Sequence, residues 1–381
     1  MSVSIRLPPK GYIARRFAEL SAIFLRGARI VGDELVITNC LDLHESLSSV
    51  INDLEGRGNE NVFQTGNDRR YVTNKMAVSL GLDAGVTVTV LDILKALAAV
   101  IKGKSTEGCV PRDLMDTKLA VLNLLKVNFY EYGKAYLAKP SNKYVTIDRL
   151  PIITQLLAVL GALIADIGRD EKTHYYLLPP EGISGDVQIE RINEVIQIFN
   201  QTYRILRNYA GVPRTLTTLK LASSVVEAGY EDDLVVGEVI GIQESRNRAS
   251  LVSIEPISTE GLVSLMNASG KQNSQELANK LGLLSDIGME LSNATKRQTK
   301  KVSNTANMIV KVASDLLIYS RTGSLDALYS TISLLWRLSD EVSRSASESM
   351  VDLRDRLRRM NIDKPTNWFS RLVYLLSSHV R

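Results

Sequence analysis

A run of basic side chains with no intervening acid occupies residues 295–311, in the sequence TKRQTKKVSNTANMIVK. Its basic residues are Lys296, Arg297, Lys300, Lys301 and Lys311. At helical spacing, such a row of ammonium and guanidinium groups can follow a phosphodiester backbone, while asparagines add neutral contacts to phosphates or bases. The strip therefore predicts a nucleic-acid-facing helix surface. The alternative is an ordinary solubilising helix face.

The apolar residues of the same segment support a helix from about 296 to 320. They recur every three or four positions, which is the spacing of one helix face. The members of this predicted core stripe are Val302, Ala306, Ile309, Ala313 and Leu316. The basic residues then share the opposite face. A second basic cluster is diluted by Asp352 and Asp355, and it contains Arg354, Arg356, Arg358 and Arg359.

A second candidate binding segment is the polar loop at 56–75, GRGNENVFQTGNDRRYVTNK. Its basic residues are Arg57, Arg69, Arg70 and Lys75, and they alternate with amides and with Phe63 and Tyr71. Arginine, asparagine and glutamine can contact base edges, and an aromatic ring can stack on an unpaired base. A long surface loop without a binding role has a similar composition, so that interpretation stays open.

Catalytic and metal-binding signatures are scarce in this sequence. The three histidines, His44, His174 and His379, have no partner at metal-ligand spacing, and surface or structural roles are predicted for them. Serine-hydrolase elbows, phosphate-binding P-loops and dinucleotide-binding glycine turns do not occur. Glu238 and Glu244 lie near predicted strands and leave a metal-dependent nuclease as the less favoured alternative. We expect a non-enzyme without metal or cofactor.

The distribution of charge points to the C-terminal third of the chain. The whole sequence of 381 residues has a formal net charge of only +4. Residues 271–381 hold 17 Lys and Arg against 11 Asp and Glu, whereas residues 1–270 are slightly acidic. The C-terminal region therefore has the composition of a polyanion-binding module.

The two cysteines, Cys40 and Cys109, stand in neither a CxxC motif nor a Cys/His cluster. Structural zinc is therefore not expected, and a reducing, cytoplasmic environment without a disulfide framework is predicted. The first residues show no apolar run before a cleavage site, which argues against secretion.

The pattern of apolar residues predicts a mostly helical α+β protein. Helices are expected near 11–29, 42–54, 87–101, 112–138, 150–166, 186–209 and 214–228, and strands at 34–38 and 174–180. The pattern of residues 233–257 predicts a hairpin whose arms pair with earlier strands. The near-continuous apolar run at 150–168 contains Pro151, Gln155 and Asp166, so a buried helix is favoured over a membrane span.

The last part of the chain is predicted to form a helical bundle. Helices are expected near 274–293, 299–320, 324–360 and 366–379, with Gly323 and Pro365 at the breaks. The polar stretch NASGKQNSQ at 267–275 suggests a boundary. The expected organisation is therefore a mixed α/β N-terminal body with a small antiparallel sheet, residues 1–268, followed by a basic C-terminal four-helix bundle, residues 269–381.

This architecture resembles the large subunit of the archaeal subtype I-A CRISPR surveillance complex, Cascade. The resemblance rests on the segment LGALIADIGRDEKTHYYLLPPEG at 160–182 and on the basic C-terminal bundle. It is architectural and covers the chain loosely, without a shared motif that would align individual residues.

The resemblance implies a non-catalytic cytoplasmic protein of antiviral defence that binds both DNA and guide RNA. Its partners would be the other Cascade subunits and the helicase-nuclease that it recruits, with no membrane contact. The loop at 56–75 would suit reading of the short DNA motif beside the target, and the strip at 295–311 would suit the displaced strand. A scaffold protein that touches no nucleic acid remains the main alternative.

Overall fold

A computed structural model describes most of the chain. The described residues are 3–57, 68, 75–83, 88–103, 108–127, 148–169, 173–179, 189–206, 214–231, 235–245, 248–259, 261–295, 302–344, 348–359 and 362–377. Within them the protein is predominantly helical with small antiparallel sheets, which confirms the predicted α+β class.

The contacts within the chain divide it into two compact units. Unit 1 comprises Met1–Gln197 and Gly237–Pro256, and unit 2 comprises Ile198–Val236 and Ile257–Arg381. The chain therefore leaves unit 1, returns to it for one hairpin, and leaves it again.

The described residues of unit 1 form three sheets and a set of packed helices. Its elements are β1 (Val3–Arg6), α1 (Ile13–Phe24), β2 (Ala28–Val31), β3 (Glu34–Ile37), α2 (Cys40–Arg57), α3 (Ala77–Ser79), α4 (Val90–Gly103), α5 (Arg112–Asp116), β4 (Lys118–Ala120), a 3-10 turn (Leu124–Lys126), β5 (Arg149–Pro151), α6 (Ile152–Ala165), β6 (Asp166–Arg169), β7 (Thr173–Leu178) and most of β8 (Val235–Ser245) and β9 (Arg248–Ser258). Helix α7 (Ile189–Leu206) spans the division between the units.

Helix α6 forms the centre of unit 1. All 14 of its residues are buried, which explains the apolar run and confirms the prediction of a core helix. Helix α1 crosses it closely at Gly161, where a Cβ atom would lie 1.8 Å from the carbonyl oxygen of Phe17. Among the described helices, none has both the length and the apolar character of a membrane span.

The largest sheet has the strand order β6-β7-β8-β9, and the two pairings whose registers are resolved, β6 with β7 and β7 with β8, are antiparallel. The predicted hairpin at 233–257 is confirmed as β8 and β9, and its first arm pairs with β7, as expected. Gly237 lies so close to β7 that a Cβ atom there would be 2.3 Å from Leu178 O.

The N-terminal sheet, β1-β3-β2, agrees with the sequence prediction in part. The strand at 34–38 is present as β3, but the helix predicted for 11–29 ends at Phe24 and the chain continues as β2. The change of direction occurs at Gly27, which has a φ of 74° and where a Cβ atom would lie 2.8 Å from Asn39 O. Because Gly27 has a left-handed backbone conformation and lies against a neighbouring carbonyl group, the helix cannot continue through it.

The helix predicted for 112–138 is wrong between residues 117 and 127. Helix α5 ends at Asp116, and β4 then pairs with β5. The buried amide of Gln155 donates from Nε2 to the carbonyl oxygens of Leu119 and Leu150, at 3.2 Å each. This tertiary pairing overrides the local helix propensity. Residues 128–147 lie outside the described residues.

The expectation of unpaired cysteines is also wrong. Cys40, the first residue of α2, forms a disulfide with Cys109, 69 positions along the chain. Sequence spacing could not reveal this pair because the fold alone brings the two residues together. A disulfide removes the argument for a reducing compartment, although intracellular proteins of hyperthermophiles also contain disulfides.

Unit 2 is built from helices around one apolar core. Its elements after α7 are α8 (Arg214–Glu227), α9 (Leu262–Asn267), α10 (Lys271–Thr295), α11 (Val302–Thr322), α12 (Leu325–Arg344), α13 (Glu348–Arg359) and α14 (Pro365–Ser377). Leu216 of α8 and Leu262 of α9 belong to the same buried cluster as Leu281, Leu316 and Leu335 of the C-terminal helices. The helices before residue 268 therefore contribute to the core of the bundle.

The single long helix predicted for 324–360 is wrong. The chain forms two helices, α12 and α13, on either side of residues 345–347. Arg354 of α13 donates to the carbonyl oxygen of Val342 of α12 at 2.6 Å. In one continuous helix these residues would be about 18 Å apart along the axis, so α13 does not continue the axis of α12. The apolar spacing is regular in both α12 and α13 because both helices face the same core.

Candidate nucleic-acid interface

The outward face of α11 is the described part of the predicted basic strip. Ala306, Ile309, Ala313 and Leu316 are buried, as the spacing predicts, whereas Asn304, Asn307 and Lys311 are exposed. Val302 begins the helix, and its side chain lies outside what the structure describes. The amphipathic division of this helix therefore places the two asparagines and the lysine in solvent.

Lys311 is engaged by a carboxylate of its own helix. Its Nζ lies 3.2 Å from Asp315 Oδ2, and Ser330 of α12 donates to the same oxygen at 2.7 Å. The Asp315 side chain is 9% exposed and the Lys311 side chain 58% exposed. The ammonium group can still face solvent, but the buried carboxylate offsets its charge.

Arg321 also lies on this outward face, three positions after residue 318. The basic strip predicted from the sequence does not include it. Exposed or half-exposed positions at 304, 307, 311, 314, 318 and 321 follow each other by threes and fours. Arg321 is exposed and takes part in no ion pair within the described residues. The signal is available in the sequence, because the spacing of the strip continues beyond residue 311.

The arginines of α13 are mostly occupied by protein groups. Arg354 donates to Val342 O, Arg356 forms an ion pair with Glu290 of α10, and Arg358 lies 3.8 Å from Asp355. Arg359 is exposed and forms no ion pair in the described part of the chain. These contacts place α13 beside the last turns of α10 and α12.

The described arginines of α13 lie at the end of the bundle where α10 ends. Helix α10 ends at Thr295 and α11 begins at Val302, and the sequence between them contributes Lys296, Arg297, Lys300 and Lys301. Those four predicted site residues lie outside the described residues. Arg356 contacts α10 five residues before that helix ends, so the α13 arginines lie at the same end of the bundle.

The loop predicted to read DNA is described only at its edges. Arg57 is the last residue of α2, and its guanidinium forms an ion pair with Asp53, leaving 14% of the side chain exposed. Lys75 is exposed. Asp68 is buried and accepts hydrogen bonds from the backbone and side-chain nitrogens of Asn123, at 3.1 and 3.2 Å. Arg69 and Arg70 lie outside the described residues.

In another cluster of unit 2, basic side chains bind to groups of the protein itself. Arg371 of α14 binds Glu276 of α10 through two nitrogen atoms, at distances of 2.6 to 3.1 Å. These hydrogen bonds lower the pKa of the Glu276 carboxyl below its ordinary value. Lys280 lies 5.1 Å from the centre of the Trp368 ring, and partial burial lowers its pKa. Both cations act as links between helices.

One of the two glutamates that keep a nuclease possible has a structural partner. Glu238 of β8 accepts a hydrogen bond from Arg16 of α1 at 3.3 Å, and Arg16 also donates to Pro179 O at 2.7 Å. The side chain of Glu244 lies outside what the structure describes. No cluster of three or more His, Cys, Asp or Glu that could hold a metal occurs among the described residues.

The described histidines also have structural surroundings. His44 Nδ1 lies 3.1 Å from Ala98 O, and His174 is buried and stacks on Tyr176 with 6.1 Å between the ring centres. His379 lies outside the described residues.

Comparisons with known proteins do not assign the chain to a family. No protein-family model matches the sequence, and no curated protein matches it significantly.

Proposed function

We propose that this chain is a non-catalytic nucleic-acid-binding subunit of a CRISPR Cascade interference complex. In this role it contacts guide RNA, the DNA motif beside the target and the displaced strand, and it recruits the effector helicase-nuclease. The observation that carries the proposal is the outward face of α11, where Asn304, Asn307, Lys311 and Arg321 are exposed on a stripe that contains no acidic residue.

The sequence that precedes this face strengthens the electrostatic argument. Four more basic residues stand between α10 and α11, and Arg359 of α13 lies at the same end of the bundle. Polyanion binding by such a surface releases counterions, so affinity should fall steeply with salt. Asp315 offsets the charge of Lys311, so Lys311 should contribute less to nucleic-acid binding. We expect the main contribution to binding from Arg321 and from the residues at 296–301.

A mobility-shift titration at two salt concentrations, with single-stranded DNA, double-stranded DNA and RNA, tests the proposal. We expect weak, salt-sensitive binding by the wild-type chain. A variant with Lys296, Arg297, Lys300 and Lys301 replaced by Glu should lose most of it. For each phosphate contact that is lost, the slope of log K against the logarithm of the salt concentration should become shallower by roughly 0.7 to 0.9. Arg321→Glu should give a smaller loss of the same kind.

Lys271→Glu is the matched control for Arg321→Glu, because each variant reverses one positive charge. Lys271 is exposed at the first turn of α10, about 36 Å along that helix from Thr295. Its reversal should leave binding nearly unchanged. Equal losses for Lys271→Glu and Arg321→Glu, which change the net charge by the same amount, would show that net charge and not position determines binding. An absence of binding by the wild-type chain at low salt would end the proposal.

A scaffold that binds protein alone is the second candidate, and one observation favours it. Helix α12 exposes Leu325, Tyr329 and Trp336 to solvent, with side chains about half accessible. Under this alternative, charge reversal of the strip would leave assembly with partner subunits intact. A metal-dependent nuclease is less favoured because Glu238 forms an ion pair with Arg16. Magnesium-dependent DNA cleavage that is lost in Glu238→Gln would support the nuclease.

A further inference from the structure

Helix α12 carries a second apolar stripe beside the face that it buries in unit 2. Its members are Leu325, Tyr329, Ile332 and Trp336, which advance by four, three and four. Leu325 is 49% exposed, Tyr329 53% and Trp336 50%, while Ile332 is partly buried. Large side chains at this spacing form a continuous apolar line on the helix surface. Exposure of such a line to water does not stabilise a monomer.

The stripe faces away from α11. Ser330 donates to Asp315 of α11, and on a helix Ser330 points roughly 160° away from Ile332. The Ile332 side of α12 therefore lies on the flank opposite α11.

The charges near the stripe are neutralised within α12 itself. Arg337 pairs with Glu341 at 2.7 Å, and Arg344 pairs with Asp340 at 2.8 Å. A surface whose cations are already paired is a poor fit for a polyanion or an anionic membrane. Asp326 is exposed and has no ion pair among the described residues, so one acidic group stands open beside the stripe.

The stripe is complementary to itself when a second copy is laid against it in the opposite direction. A two-fold axis between positions 330 and 331 exchanges Leu325 with Trp336 and Tyr329 with Ile332. Each layer then pairs a large aromatic side chain with an aliphatic one, as the a and d positions do in antiparallel helix pairs. The same axis brings Asp326 close to the Arg337–Glu341 pair of the second copy, where the exposed Arg337 guanidinium can bind both carboxylates.

We propose that two copies of this chain associate through the stripe on α12, in antiparallel orientation. The stripe spans about 16 Å of helix, so the interface is at the small end of specific interfaces. We therefore expect a dissociation constant of the order of micromolar. The proposal does not depend on the nucleic-acid function.

Sedimentation velocity of the full chain over about 1 to 100 µM tests it. The wild type should shift from monomer to dimer across this range. Trp336→Ser should weaken association by at least about tenfold, because it removes the largest aromatic side chain of the stripe. Val351→Ser, which changes another exposed apolar residue on α13 outside the stripe, should leave the shift unchanged.

A charge exchange tests the orientation. Asp326→Arg and Arg337→Asp should each weaken the dimer, and the double variant should recover part of the loss, because the pair is restored with its signs reversed. Circular dichroism of each variant checks that it is folded. A parallel pairing predicts no recovery.

Trp336 also provides a direct optical signal. The chain has two tryptophans, and Trp368 is buried, so Trp368→Phe leaves Trp336 as the single reporter. Its emission should shift to shorter wavelength with increasing protein concentration. The proposal would be overturned if the chain were a monomer at all concentrations or if the dimer were unaffected by Trp336→Ser. It would also be overturned if the emission changed on addition of single-stranded oligonucleotide and not with protein concentration.

Discussion

Asp166 is the described acidic residue whose titration departs most from ordinary behaviour. It follows α6 directly and begins β6, and its Oδ1 accepts a hydrogen bond from the backbone nitrogen of Gly168 at 3.0 Å. Burial outweighs this hydrogen bond and the nearby charge of Arg169, and it raises the pKa of Asp166 to about 6. The folded protein therefore holds this proton more tightly than the unfolded chain does.

The stability of unit 1 should reflect this difference. Between the ordinary pKa of 3.8 and about 6, the unfolded chain has lost the proton while the folded protein keeps it, so the free energy of unfolding should fall as pH rises through this window. Asp166→Asn keeps the acceptor oxygen for Gly168 and removes the charge. We expect it to stabilise the protein by about 2 kcal/mol at pH 7 and to flatten the decline, as measured by urea unfolding across pH.

Asp363→Asn is the control for this measurement, since Asp363 is exposed in unit 2. A variant at position 166 that is no more stable than the wild type at pH 7 would mean that the carboxyl is better hydrated than its surroundings indicate.

At the scale of elements, the crossing of α1 and α6 shows how backbone proximity organises unit 1. The missing side chain of Gly161 allows α6 to lie against the backbone of Phe17. Phe17 is fully buried, and its ring packs edge-on against Tyr176 of β7, with 5.1 Å between centres. A helix, its neighbouring helix and the large sheet are thus fixed at one point.

Gly161→Ala should therefore be strongly destabilising. A methyl group at this position would meet backbone atoms at 1.8 and 2.5 Å, which only a separation of the helices can relieve. We expect a loss of about 3 kcal/mol or more, measured by thermal and urea unfolding.

Gly56→Ala provides the matched comparison, because Gly56 lies in α2 and a Cβ atom added there would have no other atom within 4 Å. That change should stabilise by about 0.5 to 1 kcal/mol through helix propensity. Similar effects of the two substitutions would contradict the close crossing.

The helices of this protein were largely predictable, whereas its short strands were not. Apolar spacing located α2, α4, α6, α8, α10 and α14, because burial of one face dominates the choice of local structure. It failed for residues 117–127, where β4 pairs with a strand some 30 residues distant in sequence. It also could not separate α12 from α13, because both helices use the same core and keep the same spacing.

The candidate interface was predictable to a smaller extent. Helical periodicity assigned the basic residues of this helix, Lys311 among them, to the solvent side, and the spacing of four between Lys311 and Asp315 was equally available in the sequence. It could not show that Ser330 of α12 holds the Asp315 carboxylate. The partners of Arg356 and Arg371 come from other helices, so no local pattern contains them. Ion pairing between elements depends on tertiary structure, and that part of the site is visible in the fold alone.

At the scale of the whole molecule, the disulfide between Cys40 and Cys109 connects the start of α2 to the segment before α5 and encloses α2, α3, α4 and the predicted DNA-reading loop. Closing a loop of this length should stabilise the oxidised protein by about 4 kcal/mol, mainly through the unfolded state. Differential scanning calorimetry with and without a phosphine reductant should show unit 1 melting at lower temperature after reduction.

The variant Cys40→Ala with Cys109→Ala should melt like the reduced protein and be insensitive to reductant. Unit 2 contains neither cysteine, so a transition belonging to it should keep its temperature. A single transition that does not move on complete reduction would contradict a stabilising role for the bond.

The return of the chain to unit 1 for one hairpin has a consequence for protein synthesis. Strand β7 is translated about 60 residues before β8, the neighbour that covers its edge. Until the ribosome has passed residue 258, the nascent N-terminal region carries an unpaired strand edge, which is open to pairing with other chains. Ribosome-bound intermediates stalled between residues 200 and 235 should therefore be the species most dependent on chaperones, and expression of the first 197 residues alone should yield aggregates rather than a working half of the protein.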